Sequence, residues 1–250
     1  MAMTEWLAPF YRELEAVAIA YARVAPVFYL MPFLNDRVLG NGVIRNCLIV
    51  VVILGLRPAL PPPEATNIAS LLGLCMSEAF VGITLGVTLA LPFWVATGIG
   101  ELIDNQRGAT ISDSIDPATG VEASVLGPFV SLFYAAAFLQ QGGMLMIVQA
   151  LHKSYRHIPA GMVPHADAWR YGAVLTDLVA KSLSLAAPVL VVMFLSDILL
   201  GIFSRFCPQA NPFSLSLSVK SVVAFLVFHL YFVRAAPYEL NALWGQRIGP

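Results

Sequence analysis

Six apolar regions, at 14–34, 43–60, 68–99, 123–151, 171–203 and 213–233, alternate with polar ones along the chain. They predict an all-α protein. A helix that crosses a bilayer needs about 20 apolar residues, and several of these regions fit that requirement badly. The first carries Arg23, then Pro26 and Pro32. The second holds only eleven residues, 46–56, between Arg45 and Arg57, or about 17 Å of helix. The third runs for 32 residues, about 48 Å if straight. It carries Glu78 early and Pro92 late, so a kink or change of direction is expected at the proline. The fourth contains Pro128 and, in its middle, Gln140, Gln141, Gly142 and Gly143. The fifth bears Asp177 and Lys181 one helical turn apart, then Pro188 and Asp197, and the last bears Lys220 and His229. Kinked and broken helical hairpins follow from this pattern better than simple spans.

One stretch, 98–120, is the longest polar island. No charged residue occurs in 79–100 or in 123–151, whereas Glu101, Asp104, Asp113, Asp116 and Glu122 lie between them against a single Arg107. In hydrocarbon its backbone groups and carboxylates would have no partners. The island therefore faces water or lines a wet cavity within protein.

Composition sets the class. Charged residues make up 12% and apolar residues 58%, where a soluble domain carries roughly 25% charge, so the chain is read as an integral membrane protein. A net charge of −1 supplies no basic field, and nucleic acid is not an expected partner. Glu5, Arg12, Glu13 and Glu15 precede the first apolar run, which is not the pattern of a cleavable signal segment. Six crossings would place Arg12, Arg57, Lys153, Arg156, Arg170, Arg234 and Arg247 on one side and Arg37, Arg45, Arg107 and Arg205 on the other. The positive-inside rule makes the first side cytoplasmic and puts the acidic island on the far side.

The charges within apolar runs bear on assembly. One charge facing lipid costs several kcal/mol. Arg45 and Lys220 are long enough to snorkel from helix ends, but Glu78 and Asp197 are not. These groups, with Arg23, should face protein or water, so other subunits are expected to cover much of the apolar surface. Gly82, Gly86 and Ala90 recur every four residues and form a small-residue ridge for close helix packing. Asp197 and Arg205, eight residues apart, fall near one helix face. Both, with Lys220, are expected to make buried polar contacts.

Candidate chemistry is sparse. His152, His157 and His165 with Asp167 form a conceivable metal group, but the segment holds Pro159, Gly161 and Pro164 and reads better as a solvated loop. No serine lies in a G-x-S-x-G elbow, and no Gly-rich run carries a Lys-Ser/Thr pair. Asp116-Pro117 reads as the start of a turn that Gly120 closes. Cys47, Cys75 and Cys207 show no metal spacing and read as small buried hydrophobes. No enzyme activity, cofactor or metal is expected.

Two blocks carry a family resemblance. The first is G-x-x-I-D-x-Q-R-G (Gly100, Ile103, Asp104, Gln106, Arg107, Gly108), followed by Asp116-Pro117, Gly120, Glu122, Ser124, Leu126 and Gly127. The second is Pro188, Asp197, Leu200, Gly201, Arg205, Pro208-Gln209, Asn211 and Lys220. With Arg23, Pro26, Pro32, Arg45, Glu78, Gly82 and Gly86, the ordered set resembles the SpaR/YscT/HrcT family, the T-type components of the type III secretion export apparatus, related to flagellar FliR. The resemblance spans nearly the whole chain. It implies a bacterial inner-membrane, multi-pass protein that joins R-type and S-type subunits in a right-handed helical hetero-oligomer and contacts the U-type switch protein. Unfolded secreted proteins would pass through the entrance pore of that gate. It further implies that the loop after the third apolar region projects into the pore as a plug, here Arg107, Gly108, Ala109, Thr110, Ile111, Ser112, Asp113, Ser114, Ile115, Asp116 and Pro117.

The small residues of that loop suit a narrow lumen, and its carboxylates suit reversible contacts of about 1 kcal/mol each. The whole chain, 1–250, is expected to act as one export-gate subunit domain, with Arg23, Glu78, Asp197, Arg205 and Lys220 as buried polar or assembly residues and Gly82 and Gly86 at helix packing. The competing readings are a secondary transporter or ion channel that uses the intramembrane charges, and a membrane metalloenzyme built on the histidine loop. No convincing internal repeat supports the first of these, and it would need no different partner chains.

Overall fold

The computed structural model describes residues 2–56, 67–107, 124–162, 168–207, 215–216 and 218–231. They form helices α1 (Ala2–Leu30), α2 (Asp36–Leu39), α3 (Gly42–Leu56), α4 (Ile68–Gln106), α5 (Leu126–Gln140), α6 (Gly143–His157), α7 (Ala168–Phe206) and α8 (Ser218–Tyr231), with a 3₁₀ turn at Pro32–Leu34. No strand occurs among the described residues. The described part of every apolar region is thus helical, and the fourth is divided. Gly142, at φ 80°, terminates α5 and starts α6. Only a residue without a Cβ adopts that backbone at no steric cost.

Length and apolarity single out two described helices able to cross a membrane, α4 over 39 residues and Val179–Phe206 of α7 over 28, with the broken pair α5 and α6 as a third. The six-crossing expectation is not met by these lengths. At 1.5 Å per residue, α3 with its 15 residues reaches only about 22 Å, short of a core of about 30 Å. α8 is shorter still. α4 continues as a helix through Pro92.

The chain falls into two compact units, Met1–Leu91 with Leu139–Tyr171, and Pro92–Phe138 with Gly172–Pro250. In the first, α1 lies against the N-terminal half of α4 on a floor of glycine. A Cβ at Gly82 would collide with the backbone carbonyl of Arg23. One at Gly86 would lie 2.8 Å from Leu30 Cδ1 and 3.1 Å from Val27 Cα. The small-residue ridge therefore serves a packing contact within the chain.

That close approach brings two charges together out of water. Arg23 Nε donates to Glu78 Oε2 at 2.6 Å and Arg23 Nη2 to Glu78 Oε1 at 2.9 Å, and both side chains have 0% exposure. Arg23 Nη1 donates to the Ile158 carbonyl at 2.9 Å, and the Gly161 N–H donates to Glu78 Oε1 at 3.0 Å. The guanidinium carbon stands 4.1 Å from the centroid of the Tyr155 ring. A bidentate pair with extra hydrogen bonds is the geometry in which buried charges hold. The knot joins α1, α4, α6 and the turn after α6.

A smaller polar cluster ties α1 to α3. The Tyr21 and Tyr29 hydroxyls both donate to Asn46 Oδ1 at 3.1 Å. Arg45 does not snorkel outward. Its guanidinium lies over the Tyr29 ring at 3.9 Å, and Nη1 donates to the Leu34 carbonyl at 3.3 Å.

In the second unit, Phe93 of α4 meets Tyr134 and Phe138 of α5 with ring centroids 4.9 and 5.3 Å apart. Ser182 of α7 reaches the Val95 carbonyl at 3.5 Å where Gly98 leaves room for its hydroxyl. The outer face of α7 is different, because Val191, Phe194, Leu195, Ile198, Leu199, Ile202 and Phe203 are exposed apolar side chains.

Removing one partner of the knot leaves the other charge buried. Glu78→Ala is expected to destabilise the chain by about 3–5 kcal/mol, seen as a fall of roughly 6–20 °C in the detergent-solubilised thermal midpoint. Arg23→Met with Glu78→Leu should recover only part of that loss, because the Ile158 carbonyl and Gly161 N–H stay unpaired. Gly82→Val should lower the midpoint by an amount corresponding to about 1–3 kcal/mol. Exposed Ser184→Ala serves as the neutral control.

Candidate functional site

The polar island leaves the apolar body of the second unit at the end of α4 and returns at the start of α5. Its first stem is described to Arg107 and its second from Ser124. Of the expected plug residues, Gly108, Ala109, Thr110, Ile111, Ser112, Asp113, Ser114, Ile115, Asp116 and Pro117 lie outside the described residues.

The stems cross at two glycines. A Cβ at Gly100 would stand 2.5 Å from the Leu126 carbonyl carbon and the Gly127 nitrogen. A Cβ at Gly127 would stand 3.0 Å from Glu101 Cγ and 3.5 Å from the Thr97 carbonyl. At Gly100 backbone thus meets backbone with no side chain between, and at Gly127 the nearest atoms are the side chains of Ser124 and Glu101.

One turn beyond Gly100, Asp104 closes the crossing. Its carboxylate has no exposure. Oδ2 accepts from the Ser124 hydroxyl at 2.8 Å and from the Leu126 N–H at 2.8 Å. Oδ1 accepts from Arg107 Nε at 2.7 Å. Ser124 Oγ in turn accepts from the Gly127 N–H at 3.1 Å. The first amides of a helix have no carbonyl within the helix to bond. Here Leu126 and Gly127 are satisfied by a carboxylate from another helix and a hydroxyl from the preceding chain. The negative carboxylate also sits at the positive end of the α5 dipole.

Two cations brace the same place. The Arg107 guanidinium stands 5.5 Å from the centroid of the Phe225 ring on α8, a cation–π distance. Lys220 of α8 pairs with Asp197 Oδ2 of α7 at 2.7 Å and reaches the Gln106 carbonyl at 3.4 Å, a weak contact. Ser216 Oγ donates to the other oxygen of Asp197 at 3.4 Å.

The residues singled out by sequence fall into two groups. Arg23, Glu78, Gly82 and Gly86 come together in the first unit. Arg107, Asp197 and Lys220 come together in the second. Asp197 takes Lys220 as its partner, and Arg205 is exposed without an ion pair or hydrogen bond among the described residues. His152 and His157 lie on α6, and His165 lies outside the described residues. Sequence reasoning gave no role to Asp104, Ser124, Gly100 or Gly127. The signal was present, since all four stand in the ordered motif block, but nothing in the linear chain pairs residues across the segment.

Comparison with known proteins agrees with that block. A family described as "Bacterial export proteins, family 1" matches residues 14–244. The chain is 40% identical over 235 residues to the surface presentation of antigens protein SpaR of Salmonella typhimurium, covering 94% of this chain and 89% of that one. It is 28% identical to the secretion system apparatus protein SsaT of the same organism, covering 96% and 91%. It is 27% identical to the flagellar biosynthetic protein FliR of Pectobacterium carotovorum, covering 94% and 88%. With a family match from residue 14 to 244 and a SpaR relative aligned along most of both chains, this all-helical membrane protein belongs to the bacterial export proteins, family 1.

Proposed function

We propose that the chain is a non-enzymatic T-type subunit of a type III protein secretion export gate in a bacterial inner membrane. All of 1–250 acts as one subunit of a hetero-oligomer with R-type, S-type and U-type partners, and unfolded secreted proteins pass through the entrance pore they form. The observation that carries this reading is the 40% identity to SpaR along 94% of the chain. The structure supports it with apolar surface: the outer face of α7 is exposed, which suits burial against membrane lipid and partner subunits. In this reading residues 107–117 form the plug, and Asp197, Arg205 and Lys220 serve assembly.

The competing secondary transporter or ion channel would work alone or as a small homo-oligomer. Purification through a tag on this chain in mild detergent should give a particle of several different chains, measured by native mass spectrometry. Recovery of the chain alone or as a homodimer would overturn the gate reading. Deleting 110–115 should leave that particle intact and make the membrane leaky to small solutes. A tight membrane with normal secretion would return the segment to an ordinary solvent-facing connection.

A further inference from the structure

The clasp at Asp104 has a use that its burial alone does not require. A carboxylate with no exposure is costly unless its acceptor sites are filled, and Arg107, three residues on, fills one oxygen of Asp104 as a local partner. The other oxygen turns to the far stem and takes two donors there, the Ser124 hydroxyl and the Leu126 N–H, 20 and 22 residues on. The glycine crossing brings those donors into range. With a side chain at Gly100 the two stems would stand further apart, and the carboxylate would no longer reach.

From this geometry we propose that Asp104 is the positioning residue of the polar segment: it fixes the separation and direction of the two stems, so that the chain between them is presented from a rigid base. The proposal rests on the gate reading for its consequence, and on described residues alone for its geometry. The contacts divide the base into two kinds. Asp104 is fully buried and joins stem to stem, whereas Lys220 holds the first stem through a half-exposed Asp197 and a long contact to the Gln106 carbonyl. Loss of Asp104 should therefore loosen the stems while the helices around them stay packed.

The test uses the full complex with Cys47, Cys75 and Cys207 replaced by alanine and spin labels at Asn105→Cys and Val125→Cys, both exposed in this chain. Pulsed electron paramagnetic resonance should give one narrow label distance in the parent and in Ser184→Ala, an exposed substitution outside the clasp. Asp104→Ala should give a broad or longer distance in complexes of unchanged native mass. The same Asp104→Ala complexes should leak small ions at least roughly tenfold more than the parent, the shift expected for losing even one of the three hydrogen bonds to its charged carboxylate. Asp104→Asn keeps one acceptor oxygen for the Leu126 N–H and should fall between the two. An unchanged distance in Asp104→Ala overturns the proposal. So does a changed distance without leak, where deletion of 110–115 leaks. If that deletion itself stays tight, the plug reading falls, and the label distance still decides whether Asp104 positions the stems. Where Asp104→Ala does not assemble, Asp104→Asn and Ser124→Ala decide in the same way.

Discussion

A charge taken out of water needs a partner of fixed geometry, and among the described residues three charged side chains have no solvent contact at all: Arg23, Glu78 and Asp104. Each compact unit is arranged around the partners they require. In the first, Arg23 and Glu78 satisfy each other twice and then bind the backbone on either side of Pro159. In the second, Asp104 gathers an arginine, a hydroxyl and a helix-initiating amide. Neither arrangement forms locally. Both need helices brought closer than ordinary side chains permit, and glycine stands at the point of approach in each case, Gly82 in one and the pair Gly100 and Gly127 in the other.

The remaining polar groups are handled more cheaply. Thr84, Thr88, Thr97 and Ser196 donate to the carbonyl four residues back on their own helix, and Ser77 to the one three back. A hydroxyl bonded in that way adds no partner requirement to the surface. Long helices such as α4 and α7 thereby keep an apolar exterior despite their serine and threonine content. The difference between the two is what the chain does with that exterior: the most apolar window of α4 is 56% buried within the chain, and that of α7 only 22%.

Much of the fold was legible from the spacing of apolar residues. The described parts of all six regions are helical; the fourth, with Gln140, Gln141, Gly142 and Gly143 in its middle, divides there, whereas α4 runs on through Pro92 and α7 through Pro188. The break in the fourth region falls at Gly142, through a left-handed backbone that periodicity does not encode. The sites were less legible, for a physical reason. Arg23 and Glu78 were recognisable as misplaced charges, yet their mutual pairing across 55 residues was not. Asp197 was set beside Arg205 by helical spacing, whereas the bond forms to Lys220 on another helix. Asp104 was hidden most completely. Beside Arg107 it reads as an ordinary surface ion pair three residues apart, and nothing in the linear order marks an amide 22 residues away as its partner.

The knot around Arg23 also fixes an order of events during synthesis. Its carboxylate partner follows 55 residues later and its carbonyl partner 135 residues later. At about 5–20 residues per second, the guanidinium waits on the order of ten seconds before the last of its partners leaves the ribosome. Until Glu78 follows, 55 residues on, the first helix cannot settle into apolar surroundings without an unpaired cation, and until Ile158 follows the pair lacks its last hydrogen bond. The nascent N-terminal hairpin must linger at an aqueous or interfacial surface, and insertion of the first unit becomes a late, collective event.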